Sequence, residues 1–219
     1  KNWNVVCLGK KERSFDLIKK KLQNDNNIEF HAVDFSHPNS IKEFFKKKNF
    51  QFKFIDALVN SAGIASKTKV EFITEEEWEE IFRVNVTSSF ITIKESIKYM
   101  DISRAPTVVN ISSIAGRFRS ISLSCAYSTS KAALIGMTRH LAMELSDHGI
   151  RINCLAPGQT LTPMLKDALS EQKQKELASK LPLKRIANPE EQAQIIYFLC
   201  SSESSYINGA IIDSNGGAL

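Results

Sequence analysis

Residues 107–113, Thr107-Val108-Val109-Asn110-Ile111-Ser112-Ser113, form a short β-branched run that stops on two serines. The run is too short for a buried helix and nearly continuous in apolar character, as expected for a strand covered on both faces. Outward from it the same signal recurs at Asn4 to Leu8, Ile28 to Val33, Ala57 to Asn60, Arg151 to Ala156 and Ala210 to Asp213. Helix-period segments fill the gaps. Ser14 precedes Phe15, Leu17, Ile18 and Leu22, Thr74 to Glu77 make a capping box ahead of Trp78, and Pro189 with Glu190 and Glu191 opens a helix reaching about Leu199. Alternating strand and helix predicts an α/β fold, a Rossmann-like doubly wound parallel sheet in a single domain over residues 1–219. Ligand and catalytic groups then belong just beyond the strand ends.

Composition narrows the class of function. A chain of 219 residues that is 42% hydrophobic can bury a substantial core. Its net charge of +5 is spread along the chain apart from Lys10, Lys11, Arg13 and the runs Lys19 to Lys21 and Lys46 to Lys48. Those runs read as solvated helix faces, so no nucleic-acid partner is expected. No apolar run approaches a membrane span, and no membrane partner is expected. Cys7, Cys125, Cys154 and Cys200 are far apart and lack metal-ligand spacing, as do the four histidines; reduced thiols and no metal site are expected.

Three strand-end signals carry chemistry: Asn60-Ser61-Ala62-Gly63, then Ser112-Ser113, then Tyr127-Ser128-Thr129-Ser130-Lys131. Tyr127 and Lys131 stand at i and i+4, hence on one helix face. A fixed cation beside a phenol favours its phenolate and lowers its pKa from about 10. Tyr127 is then suited to protonate a carbonyl oxygen, with Ser113 donating a hydrogen bond to the same oxygen. Gly63 permits close backbone approach, and Pro157 with Gly158 makes a stiff bend at a strand end.

NSAG at Asn60 to Gly63, Val84-Asn85, NISS at Asn110 to Ser113, YSTSK at Tyr127 to Lys131, and Pro157-Gly158 followed by Thr162 occur in an order and spacing that resembles the short-chain dehydrogenases/reductases. The resemblance covers essentially the whole chain. It implies a catalytic set of Asn85, Ser113, Tyr127 and Lys131, with Asn85 at a helix distortion whose water relays protons to Lys131. It further places Asn60, Ala62 and Gly63 beside the adenosine ribose and Asp34 at the adenine edge. Pro157, Gly158 and Thr162 fall around the nicotinamide and its phosphate, with Tyr127 and Lys131 also touching the cofactor. Where NAD enzymes of the family carry an acidic residue, this chain has Gly9, Lys10 and Lys11, which attract a 2′-phosphate; NADP(H) is the expected cofactor.

The family's first strand and its TGxxxGxG loop, which holds the pyrophosphate, are missing from these residues. Asn4 to Leu8 corresponds to the second strand. In the order 3-2-1-4-5-6-7 the first strand is central, so its loss leaves two neighbours unpaired. The expectation is an N-terminally incomplete chain; the alternative is a truncated, catalytically dead relative acting as a binding protein.

Ile64 to Trp78, Leu181 to Ala193 and Tyr206 to Gly217 most resemble 3-oxoacyl-acyl-carrier-protein reductases. That implies NADPH-driven reduction of a 3-oxoacyl thioester in fatty acid biosynthesis, with other small ketones, sugars or steroids as alternative substrates. It implies an acidic acyl carrier protein as partner, received in the family by two arginines, of which Arg104 is kept here and His148 stands at the other position; Arg117, Phe118 and Arg119 line either the substrate mouth or plain loop surface. Thr160 to Leu181 resembles a substrate lid. A homo-oligomer, tetramer or dimer, in the cytoplasm or mitochondrial matrix completes the expectation.

Overall fold

A computed structural model describes residues 3–10, 27–47, 53–120 and 122–218. The helix expected after Ser14 and the residue Lys11 lie outside the described residues.

Six strands form in the places the β-branched runs predict: β1 (Val5–Gly9), β2 (Ile28–Ala32), β3 (Ala57–Asn60), β4 (Thr107–Ile111), β5 (Arg151–Pro157) and β6 (Ile211–Ser214). All pairings are parallel. The strands nevertheless make two sheets, β1-β2 and β3-β4-β5-β6, with no ladder between β1 and β3 among the described residues. Val5 and Val59, on the two strands facing that break, each leave 38% of their surface exposed. The interruption falls where the family order places the first strand, between the two neighbours expected to be left unpaired.

The main helices are α1 (Pro38–Lys46), α2 (Glu75–Phe82), α3 (Ser88–Ser96), α4 (Ile114–Arg117), α5 (Cys125–Glu144), α6 (Pro163–Ala168), α7 (Glu171–Lys180) and α8 (Pro189–Cys200). Their starts follow the capping residues. Thr74 Oγ1 accepts from Glu77 N, but Glu77 Oε1 is buried without a partner, so only half of the expected box closes. Asn188 and Glu191 make a complete box at α8.

Both faces of the larger sheet are covered, because successive side chains alternate. Asn110 turns to α5, where its amide meets Thr138, while Thr107 turns to the C-terminal end of α8. Ile93, Val108, Leu145, Ile150 and Ile152 form the core between sheet and helices. A second core, Val33, Ile41, Phe44, Phe45 and Ile91, joins β1-β2 to the rest through α1 and α3. All four cysteines are free thiols, and among the described residues no metal-ligating cluster occurs and no helix is long and apolar enough to cross a membrane.

Candidate active site

β4 delivers its chain end directly to α5. Ser112 N donates to Leu155 O at 2.8 Å, and its hydroxyl donates to Lys131 O at 2.7 Å, which fixes the strand end against the middle of α5. Ser113 follows in extended backbone and caps α4, its Oγ accepting from Ala115 N at 3.1 Å. α4 is a single turn packed on α5 at Gly116, where a Cβ would lie 2.5 Å from the Lys131 carbonyl carbon. Only glycine allows that approach.

Ser124 caps α5 by accepting from Tyr127 N. One buried side of the helix then presents Tyr127, Ser130 and Lys131. The Tyr127 phenol lies near Ser113, and Lys131 Nζ lies 5.8 Å from the Tyr127 ring centroid while donating to Ile111 O at 2.8 Å. Between α2 and α3 the helix widens into a π turn over Arg83–Thr87, carrying the fully buried Asn85. Such turns are frequent at functional sites. Asn85 Nδ2 donates to Ser130 Oγ at 2.9 Å and to Ile64 O at 3.0 Å, and its Oδ1 accepts from Ile64 N at 2.8 Å. A Cβ on Gly63 would stand 3.4 Å from both Asn85 Oδ1 and Lys131 Nζ. Four residues distant in sequence thus meet around one spot.

The electrostatics differ from the sequence expectation. Burial pushes the Tyr127 phenol up, with the Ser113 hydrogen bond opposing, so the neighbouring ammonium does not produce a phenolate here. Burial brings Lys131 down to about 8 from 10.5, opposed only weakly by Cys154. Because the folded value is depressed, the unfolded chain binds more protons between about pH 8 and 10.5. Stability from this group is therefore lowest below pH 8 and rises with pH across that window, by on the order of 3 kcal/mol. Lys131→Met should accordingly raise the melting temperature relative to wild type more at pH 7 than at pH 10. A difference independent of pH would show that Lys131 carries no burial penalty.

The remaining residues divide by location. Gly9, Lys10 and Asp34 gather at the ends of β1 and β2: Gly9 O accepts from Val33 N, and Lys10 Nζ lies 3.1 Å from Asp34 Oδ2. Asp34 also accepts from the Ser36 hydroxyl and backbone, which hold it well below the usual carboxylate range, chiefly through the hydroxyl, with Lys10 adding to the effect. Ala62 and Gly63 lie in the extended segment after β3. The Asn60 side chain is turned inward: it donates to Asn110 Oδ1 at 2.9 Å and accepts from Thr92 Oγ1 at 2.8 Å. Pro157 closes β5, and Gly158 N donates to Ser214 O at 2.8 Å, with backbone packing that leaves a Cβ 2.7 Å from Asn215 Cα. Thr162 caps α6, accepting from Leu165 N.

Arg117, considered for the substrate mouth, is paired with Asp213; Phe118 is 67% exposed beside it. Arg104 is bound bidentately by Asp56, and His148 is exposed. The expected lid is built as α6 and α7, which border a groove of about 730 Å³ with Leu161, Leu169, Ala178 and Ile186 on its apolar side and Lys166 and Lys175 among its cations. Sequence reasoning missed Ser130, Gly116 and Asp213. The first two sit inside or beside quoted motifs, whereas Asp213 carries no local signal.

A parallel α/β fold with tyrosine, lysine, serine and a π-turn asparagine at the strand ends is that of an oxidoreductase, and the chain belongs to the short-chain dehydrogenase/reductase family. The family profile described as Enoyl-(Acyl carrier protein) reductase, adh_short_C2, matches residues 1–218. The chain is 35% identical to the 3-oxoacyl-acyl-carrier-protein reductase FabG of Thermotoga maritima over 207 residues, covering 94% of this chain and 83% of that one. It is 34% identical to the FabG of Aquifex aeolicus, covering 97% and 86%. A solved short chain dehydrogenase/reductase family protein superposes with a TM-score of 0.85 at 28% identity, over 98% of this chain and 86% of the other.

Proposed function

We propose that the protein reduces the keto group of a 3-oxoacyl thioester with NADPH, as its FabG relatives' names describe for acyl-carrier-protein substrates. The observation that carries this reading is the buried Tyr127 phenol near Ser113, with Lys131 and Asn85 beside it. In the direction of reduction a protonated phenol is what the chemistry needs. Tyr127 gives its proton to the carbonyl oxygen, and Ser113 donates a hydrogen bond to that oxygen as charge develops. Lys131, mostly charged below pH 8, then stabilises the phenolate left behind. Asn85 holds Ser130 and the Ile64 backbone in place around Lys131.

The residues present fit a nicotinamide dinucleotide. Gln159 Oε1 is buried without a partner next to Pro157 and Gly158, Gly63 leaves the space over Lys131 open, and the Lys10 cation marks the far end. When bound, the nicotinamide supplies the hydride. Lys10 and Gly9, with Lys11, favour the 2′-phosphate of NADP(H), and Asp34 holds Lys10 there. The groove beside α6 and α7, where Leu161, Leu169, Ala178 and Ile186 stand among lysines and Arg185, offers an acyl chain some apolar surface within a basic rim. Since Arg104 is neutralised by Asp56, an acidic acyl carrier protein would depend on the remaining basic surface. A homo-oligomer in the cytoplasm, tetramer or dimer, follows the same reading; the matching FabG relatives are bacterial.

Fluorescence titration with NADPH and NADH tests the cofactor assignment. NADPH should bind more tightly, and Lys10→Ala should weaken NADPH binding by roughly tenfold while leaving NADH nearly unchanged, as for loss of one charge-assisted phosphate contact. Equal weakening of both removes the 2′-phosphate role. A folded chain that binds neither cofactor favours the alternative of a dead, binding relative.

A further inference from the structure

Arg117 and Asp213 are 96 residues apart in sequence, yet their side chains meet as a two-pronged pair. Arg117 Nε lies 3.0 Å from Asp213 Oδ1, and Nη2 lies 2.9 Å from Oδ2. Both side chains are about one-third exposed. The strand order is β4-β5-β6, with Asp213 in register with Ala156 of β5. Arg117 ends α4, which follows β4, so the pair reaches over the end of β5 and ties α4 to the edge strand.

α4 has four residues, too few to be stable alone. It packs closely on α5, with Gly116 against the Lys131 backbone and Ala115 buried, it also meets β5, and both its ends are capped: Ser113 accepts from Ala115 N, and Phe118 N donates to Ile114 O. Gly116 fixes how closely α4 approaches α5. To that packing the two parallel hydrogen bonds of a guanidinium and a carboxylate add a directional tie at the C-terminal end of the turn. Ser113 is the residue at the other end of the turn, where its Oγ caps α4 near the Tyr127 phenol.

We propose that the Arg117–Asp213 pair is a positioning device for carbonyl reduction, setting the direction in which Ser113 presents its hydroxyl to Tyr127 and the substrate oxygen. Arg117 touches neither Tyr127 nor Lys131 in the contacts described, so it acts through α4. A pair this exposed adds little to global stability, and its effect should appear in turnover. The inference rests on the role proposed above for Ser113 and Tyr127.

The test uses NADPH-dependent reduction of acetoacetyl-coenzyme A by the wild-type protein, Arg117→Met, Asp213→Asn, Arg117→Lys, the swapped double variant Arg117→Asp with Asp213→Arg, and Tyr127→Phe. Arg117→Met and Asp213→Asn should each lower kcat about tenfold or more, with the Kd for NADPH and the melting temperature nearly unchanged. Arg117→Lys should recover part of the rate, because lysine keeps the charge without the fork, and the swapped pair should recover more than either single change. Unchanged kcat in Arg117→Met, or a loss that tracks the melting temperature and is not recovered by the swap, overturns the proposal. If Tyr127→Phe is inactive while Arg117→Met is normal, the positioning role fails and the reductase reading stands. If Tyr127→Phe is as active as wild type, the reductase reading itself fails, and the positioning role with it.

Discussion

Tyr127→Phe should abolish carbonyl reduction, lowering kcat by roughly 10²- to 10⁴-fold, the range typical for loss of a positioned proton donor. The change removes one oxygen from a ring that is already 91% hidden from solvent, given its 9% exposure, and replaces nothing around it. Ser113 keeps its capping bond to Ala115 N, and Lys131 keeps its bond to Ile111 O, so the local frame is preserved. The melting temperature should therefore change little, as should NADPH affinity. Steady-state rates with a 3-oxoacyl thioester, read beside a NADPH titration, separate the two quantities. Near wild-type turnover would show that the proton comes from elsewhere.

A second large effect is expected far from any reacting atom. Gly116→Ala introduces a methyl 2.5 Å from the Lys131 carbonyl carbon and 2.7 Å from both Lys131 O and Ala132 N. All three are backbone atoms of α5, which cannot swing aside as a side-chain tip would, so α4 has to move. Overpacking of this kind costs about 1–3 kcal/mol. For a chain of this size that corresponds to about 2–4 °C in melting temperature for each kcal/mol. The kinetic loss should be larger, about 10²-fold in kcat, because a displacement near 1 Å at α4 carries Ser113 away from Tyr127. Thermal denaturation and kcat measured on one preparation check this. A variant that loses stability but keeps its rate would mean that Ser113 does not need its position.

Comparison of the sequence reading with the structure shows which physical signals travel along a chain and which do not. Val108, Val109 and Ile152 are fully buried, and a strand covered on both faces has to spell that burial in consecutive residues. Thr74 and Pro189 announce their helices because the chemistry of a helix start is local. The i and i+4 spacing of Tyr127 and Lys131 likewise fixes a shared helix face. Contacts made across the sheet left no such trace. The inward turn of Asn60 depends on Thr92 and Asn110, and the pairing of Arg117 depends on a carboxylate 96 residues away. Thr162 was expected near a phosphate from its place in a motif, yet its hydroxyl caps α6, a use that the following Pro163 already suits. The phenol's upward shift was also illegible, since the spacing shows the cation but not the depth of burial.

The division of the strands into β1-β2 and β3-β4-β5-β6 has a thermodynamic side. Gly9, Lys10 and Asp34 ride on the smaller sheet, while Tyr127, Lys131 and Gly158 ride on the larger, and among the described residues the two are joined by apolar packing of α1 on α3, with no shared ladder. Any ligand long enough to touch Lys10 at one end and Lys131 at the other acts as a molecular staple between these halves. Part of its binding free energy then goes into registering one half against the other, and by mass action its concentration sets how firmly the halves are locked.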